Sequence, residues 1–410
     1  MIKKTGIAFL LLFLAVDAFA GGFRVSLQGV RQSALGAQGA ALTGDASVMF
    51  YNPAALAFVG SQWSVAAGVF GVRLTSKYQN RTTLETAETD NPLGTPLYAA
   101  LSYKPVDKLA LGVSVTTPFG STVDWGNNWS GKYVINRIAL KSFFIQPTIA
   151  YQFNDWFALG GGAVIAKGSV NIQREVAVAG NDASLEIDAP HAQGWGMNLG
   201  VFIKPSEKVN LGLSYRSELK MKAEDGDVKW KNVPQLVSGS LPFNAKKFNA
   251  QLPLPAELLF GVTYQATPKW MLAAEIGAVN WGTYKELVIN LTNGKEGYKN
   301  QSTKEFKNTV NYSLGAEYAA TDKLDLRLGY KFDESPSPGR YFNPETPTVN
   351  YHAFTSGLGY KFKALKIDLM AEYLKGNERE FNNVDYDFGG DIVSSGFIFG
   401  LGLSYNFDLQ

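Results

Sequence analysis

From about residue 62 onward, apolar and polar positions alternate with a period of two. Leu109–Thr116 reads Leu-Ala-Leu-Gly-Val-Ser-Val-Thr, and Val209–Arg216 reads Val-Asn-Leu-Gly-Leu-Ser-Tyr-Arg. The same rhythm runs through 324–332 and 397–407. One face of each segment is apolar and ends in aromatics, while the other is small or polar, which is the chemistry of a half-buried strand. The segments approach the ~9–11 residues that a tilted strand needs to cross a bilayer. Short turns fall at 105–107, 154–155, 205–207, 267–269, 321–322 and 363–364. Long polar loops fall near 79–95, 119–139, 176–186, 222–253, 289–303, 334–348 and 377–394. Short turns at one end and long loops at the other are the pattern of an outer-membrane barrel. Backbone groups in lipid must all be paired, so such a sheet has to close. The expectation is an all-β fold, a transmembrane antiparallel β-barrel of about fourteen strands, an even number as such barrels favour.

Residues 21–61 break the rhythm. The stretch 31–42 is rich in Ala and Gly, and Asn52-Pro53-Ala54-Ala55-Leu56-Ala57 reads as a short helix with Asn52 at its N-cap and Pro53 in its first turn. This segment is expected to form a small helical hatch inside the lumen, with the barrel occupying 62–410. The alternative is a periplasmic tail. Ahead of it, Lys3 and Lys4, the apolar run 7–16 and Ala18-Phe19-Ala20 make a signal peptide, 1–20, cut after Ala20.

Composition agrees with strands rather than helices. Hydrophobic residues make up 46% of 410, yet mean hydropathy is −0.07, so apolar and polar positions must be finely interleaved. Aromatics reach 13%. Trp63, Tyr103, Trp156, Tyr215, Tyr264, Trp270, Tyr318, Tyr330, Tyr360, Tyr373 and Tyr405 stand where interfacial belts belong. The net charge of +2 carries no basic block, so no nucleic-acid partner is expected. Cys is absent, which excludes disulfides, thiolate metal sites and Cys nucleophiles. No cofactor and no enzyme activity are expected. An outer-membrane lipase would need a Ser–His pair, and neither His191 nor His352 stands in a nucleophile-type motif.

Several motifs, in order along nearly the whole mature chain, resemble the FadL-type family of outer-membrane transporters for long-chain fatty acids and other hydrophobic compounds. Gly22-Phe23, Gly44-Asp45-Ala46 and Asn52-Pro53-Ala54 resemble its N-terminal hatch. Thr117-Pro118-Phe119-Gly120, with Trp129 and Gly131-Lys132-Tyr133, resembles its third strand and following loop. Tyr215-Arg216-Ser217-Glu218, Leu252-Pro253-Leu254-Pro255-Ala256 and the run 332–338 resemble later segments. The resemblance implies a fourteen-stranded barrel with an internal hatch. It also implies passive uptake, in which a hydrophobic molecule enters from outside, reaches an internal site and leaves sideways through the wall. A substrate site would fall at Lys307, Arg174 and Phe23, and hatch gating at Asn52, Pro53 and Ala54. The expected partners are a long-chain fatty acid or other hydrophobic small molecule and outer-membrane lipids, with the barrel a monomer. Alternatives are a channel for aromatic hydrocarbons, a polar-solute porin, a structural adhesin or the lipase.

Residue parity refines the site. Counted from Tyr312 and Leu314 as lipid-facing, Lys307 points inward, where it could meet a carboxylate or pair with Glu305. Counted from Trp156, Arg174 points outward, while Leu159 and Ile165, like Phe144 and Leu259, point inward. Arg216 and Arg327 face inward beside Glu218 and Asp325, and ion pairing is expected for both. Inward apolar side chains mean a lumen that is packed against the hatch or greasy for substrate. Pro118 lacks a ladder donor. With Gly120 it predicts a break in pairing around 116–120, which is a lateral opening or simply the end of a strand before its loop.

Overall fold

The structure, a computed structural model, describes residues 22–408. The signal peptide and its cut lie outside the described residues. Fourteen strands form the wall. They are β1 (Trp63–Gln79), β2 (Leu97–Val106), β3 (Leu109–Thr116), β4 (Arg137–Asn154) and β5 (Phe157–Val178). Next come β6 (Asn181–Ser206), β7 (Val209–Arg216), β8 (Glu257–Gln265), β9 (Trp270–Val279) and β10 (Thr309–Ala319). The last are β11 (Leu324–Asp333), β12 (Tyr351–Phe362), β13 (Leu365–Gly376) and β14 (Phe388–Phe407). Each pairs antiparallel with its chain neighbour. The ring closes where β14 lies along β1, from Trp63 opposite Phe407 to Gln79 opposite Asp391. Closure leaves no unpaired edge, which is what a strand wall in lipid requires.

The six short turns lie at one end, as the alternation implied. At the other end the expected loops are more ordered than the sequence suggested. The region 176–186 is not a loop: β5 and β6 run on as one long hairpin and reverse at Ala179 and Gly180, both with positive φ. Around 222–253, Leu219–Lys231 pairs with Lys247–Leu254, and around 289–303, Glu286–Thr292 pairs with Gly297–Thr303. In these hairpins one face turns inward, where Met221, Ala223, Phe248 and Ile289 are buried, while the outward face is polar and meets water, so the apolar outer face that marks the membrane segment is lost.

The outer face is apolar. On β14, Phe397, Phe399, Leu401, Leu403 and Tyr405 are exposed, while the intervening Ile398 and Ser404 are buried. Aromatic pairs such as Trp63 with Tyr103 and Trp270 with Tyr318, ring centroids 4.3 and 4.6 Å apart, gird the short-turn end. Phe144 and Leu259 are inward and buried. Leu159 is instead exposed on the lipid side, opposite Val201 and Tyr151. Ile165 shares its face, opposite the exposed Trp195. Trp156 belongs to the turn before β5, so a parity counted from it is shifted by one.

The chain from residue 22 to residue 59 folds inside the ring. It contains α1 (Val30–Ala34), α2 (Val48–Tyr51) and a 3₁₀ turn, Pro53–Phe58. Asn52 caps that turn: its Oδ1 accepts from Ala54 N at 3.0 Å, and Pro53 follows it. Its amide also donates to the carbonyls of Ala40 (2.8 Å) and Val201 (3.0 Å), tying the hatch to β6. Wall glycines let the hatch backbone come this close. A Cβ at Gly315 would lie 2.6 Å from the Leu35 carbonyl oxygen, and one at Gly212 would overlap the Ala40 carbonyl. Wall side chains supply its remaining hydrogen bonds. Glu275 accepts from Gly39 N and Ala40 N, Gln146 donates to Met49 O, and Thr355 donates to Ala34 O.

A buried ionic network anchors α1. Arg31 pairs with Glu317, which also receives Arg327 at 2.6 Å. Arg327 in turn bonds Asp368 at 2.6 Å and lies 3.6 Å from Asp325. The expected pairing of Arg327 is therefore present. Arg327→Leu would leave Glu317 and Asp368 short of a partner, and we expect a loss of about 3–5 kcal/mol, the range for breaking a buried pair from one side. Urea-induced unfolding in detergent measures this; a loss under about 1 kcal/mol, the range of surface pairs, would show that water screens the network.

Candidate functional site

The site is built where the N-terminal segment meets a fault in the wall. β2 and β3 pair regularly up to Tyr98 opposite Thr116. Beyond that point only the Thr117 hydroxyl bonds the backbone of Leu97, at 3.0 and 3.1 Å. On the other side, Thr116 faces Phe144 and Gly120 faces Lys141. Residues 117–119 thus oppose only 142–143. The Ser142 hydroxyl fills in, accepting from Phe119 N and donating to Phe119 O at 3.2 and 2.5 Å. Pro118 has no N–H to offer at this point, which is why the ladder yields here.

Residues 23–25 run along the inner side of this fault. Val25 N donates to Pro118 O (2.8 Å), Gly120 N donates to Phe23 O (3.1 Å), and Arg24 bridges Phe119. The hatch thus takes up backbone groups that the neighbouring strand leaves free.

Above the fault lies a largely apolar cavity, with the kind of lining usual for small-molecule pockets. Leu140, Met221, Phe248, Leu254 and Ile289 line it, with Phe23 and Phe119 at its base. Phe23 stands 4.9 Å from Trp281 and 6.0 Å from Phe119, ring centre to ring centre. Trp281 and Phe306 are almost wholly buried behind it. At the rim, Glu345 reaches the lining and pairs with Lys304, which is buried just outside it.

Below Phe119 is a second, polar chamber of about 530 Å³. Arg24 pairs there with Glu257 and with Asp333 (3.4 Å), and Lys331 bonds Asp333 at 3.0 Å. Arg216 enters from β7. It does not pair with Glu218; its guanidinium donates to Phe50 O and stacks 3.7 Å over the Phe50 ring.

The structure brings Phe23, Pro118, Phe119 and Gly120 together and leaves two expected residues aside. Lys307 is exposed and lines neither cavity. β10 begins only at Thr309, and Glu305, with φ +46°, turns the backbone, so parity counted down from Tyr312 fails. Lys304 is the inward cation of that turn. Arg174 points inward, not outward, since it faces Leu185 and shares its side with Val170 and Ile172. It stands above the cavity rather than in its lining. Sequence reading missed Lys304 because nothing in Thr303-Lys304-Glu305 marks a positive φ at a non-glycine residue.

Fold and site together define a hatched outer-membrane barrel that holds a hydrophobic chamber. The chain belongs to the family described as outer membrane protein transport protein (OMPP1/FadL/TodX), whose model matches residues 11–407. It lies in the outer membrane. A long-chain fatty acid transport protein of Salmonella typhi is 23% identical, with 99% of each chain covered. Among solved structures, a Pseudomonas aeruginosa FadL homologue superposes with a TM-score of 0.82 at 19% identity, covering 94% of this chain and 100% of that one. The P. putida toluene transporter TodX superposes with a TM-score of 0.74 at 16% identity, covering 96% and 100%.

Proposed function

We propose that this barrel takes up long-chain fatty acids passively, releasing them sideways into the membrane. The observation that carries this reading is the apolar cavity with a buried ion pair at its rim. An alkyl tail suits a chamber lined by Leu, Ile, Met and Phe. Lys304 can exchange its Glu345 partner for the carboxylate of the acid, keeping a charge-assisted hydrogen bond throughout. Similarity to both the fatty acid transport protein of Salmonella typhi and the toluene transporter of P. putida supports a hydrophobic substrate. Phe23 forms the base of the cavity. Withdrawal of residues 23–25 would join the cavity to the fault at Pro118, Phe119 and Gly120, which we read as the lateral opening. Asn52, Pro53 and Ala54 hold the hatch so that this motion stays local.

The test is equilibrium binding of hexadecanoate to purified barrel. The double substitution Lys304→Met with Glu345→Gln removes both charges together and strands neither. We expect it to weaken hexadecanoate binding roughly tenfold, the scale of one hydrogen bond to a charged group, and to leave hexadecane binding unchanged. A wild-type barrel that binds toluene and fails to bind hexadecanoate would overturn the reading in favour of a hydrocarbon channel.

A further inference from the structure

Arg216 is the cation of the polar chamber for which no acidic partner is found among the described residues. It is buried, 7% exposed, and only one of its nitrogens is engaged, with Phe50 O. Nε and Nη1 are buried without a partner, as is Nδ2 of Asn311, which lines the same chamber. The neighbouring acids are committed elsewhere. Glu257 holds Arg24, Asp333 holds Arg24 and Lys331, and Glu275 caps two hatch amides. An unpaired buried cation is costly unless it meets an anion. Pro118 and Phe119 line this chamber as well, and Phe119 also lines the apolar cavity above. On β7 and its continuation, Arg216 precedes the cavity residue Met221, and on the returning strand Leu252 and Leu254 precede Pro255 and Glu257 of the chamber. The chamber therefore lies one step nearer the short-turn end, beside the fault.

We propose that Arg216 and Asn311 form a second carboxylate station, which receives the head group of the acid after it leaves the apolar cavity and while its tail passes the wall. This rests on the fatty acid reading above. A guanidinium offers two parallel donors, a geometry matched to a carboxylate. Its free Nε and Nη1 are the pair that a carboxylate would engage. The station removes a specific obstacle: an ionised acid crossing a low-dielectric interior with no partner pays the full desolvation of its charge.

The experiment compares transfer of hexadecanoate and of hexadecanol from solution into vesicles holding the reconstituted barrel, with equilibrium binding measured alongside. Arg216→Gln keeps an amide that can donate to Phe50 O. It should slow hexadecanoate transfer roughly tenfold or more, the scale of a lost charge-assisted bond, with hexadecanol transfer and hexadecanoate binding unchanged. Arg216→Lys should restore part of the rate. Asn311→Leu, which loses no hydrogen bond present in the structure, should also slow the acid selectively and serves if Arg216→Gln fails to fold. Equal slowing of acid and alcohol would reduce Arg216 to a prop for the hatch and overturn the proposal, and an unchanged acid rate would overturn it too. In both cases transport of the acid by the wild type leaves the fatty acid reading standing. A wild type that carries neither probe overturns both.

Discussion

Gly212→Val should turn a silent barrel into an ion-conducting one. Gly212 faces the hatch where the Ala40 carbonyl comes closest, and a side chain there overlaps that carbonyl outright. The neighbouring contacts give no slack, because Ala40 N is held by Glu275 and Ala40 O by Asn52. The wall itself should tolerate the change. Val is a favourable strand residue, and the ladders from Gly212 to Gly261 and to Phe202 are continuous backbone pairings. The barrel should therefore fold with its hatch unseated. Planar-bilayer recording is the measurement: stepwise ion current from the variant and a flat baseline from the wild type. A variant that stays flat while remaining folded would mean that the hatch reseats around the new side chain, and the close-packing account would be wrong.

The second large effect concerns the fault. Deleting Phe119 leaves two residues opposite 142–143, and regular pairing can then run from Thr116 to Gly120. We expect hexadecanoate still to bind and its delivery to vesicle lipid to fall roughly thirtyfold. Pro118 offers no N–H, so at most two ladder bonds are restored, and opening them at about 1 kcal/mol each raises the barrier by about 2 kcal/mol. Delivery at the wild-type rate would exclude this part of the wall as the route.

Most of the wall was legible because the bilayer forces a simple code. On β14 the outward residues from Phe397 to Tyr405 are all apolar or aromatic and the inward ones between them are mostly Gly or Ser, and every predicted short turn reverses where expected. The capped turn at Asn52 was equally plain, since Asn before Pro has few other uses. Phase was harder. A single turn residue, Trp156, reversed the reading of all of β5, and with it Leu159, Ile165 and Arg174. A positive φ at Glu305 did the same to Lys307 and hid Lys304. The ordered hairpins beyond the membrane were read as polar loops because their outward face is polar, as in Lys220, Lys222 and Glu224, and only the inward Leu219, Met221 and Ala223 stay apolar. The cavity could not be read at all, since it joins residues as remote as Phe23, Met221 and Ile289 that only ring closure brings together.

The Ser142 hydroxyl has a kinetic consequence. By both donating to and accepting from Phe119, it satisfies both backbone groups of that residue from the wall itself, while Val25 and Phe23 serve Pro118 O and Gly120 N. The breach is thus a resting feature that needs no rupture of wall ladder bonds to exist. Under the proposed route, turnover would be set by how fast three residues of the N-terminus peel away, a small motion that leaves the surrounding lipid undisturbed. Transport should then depend little on bilayer thickness or stiffness, in contrast to a barrel that must deform its own perimeter to let cargo through.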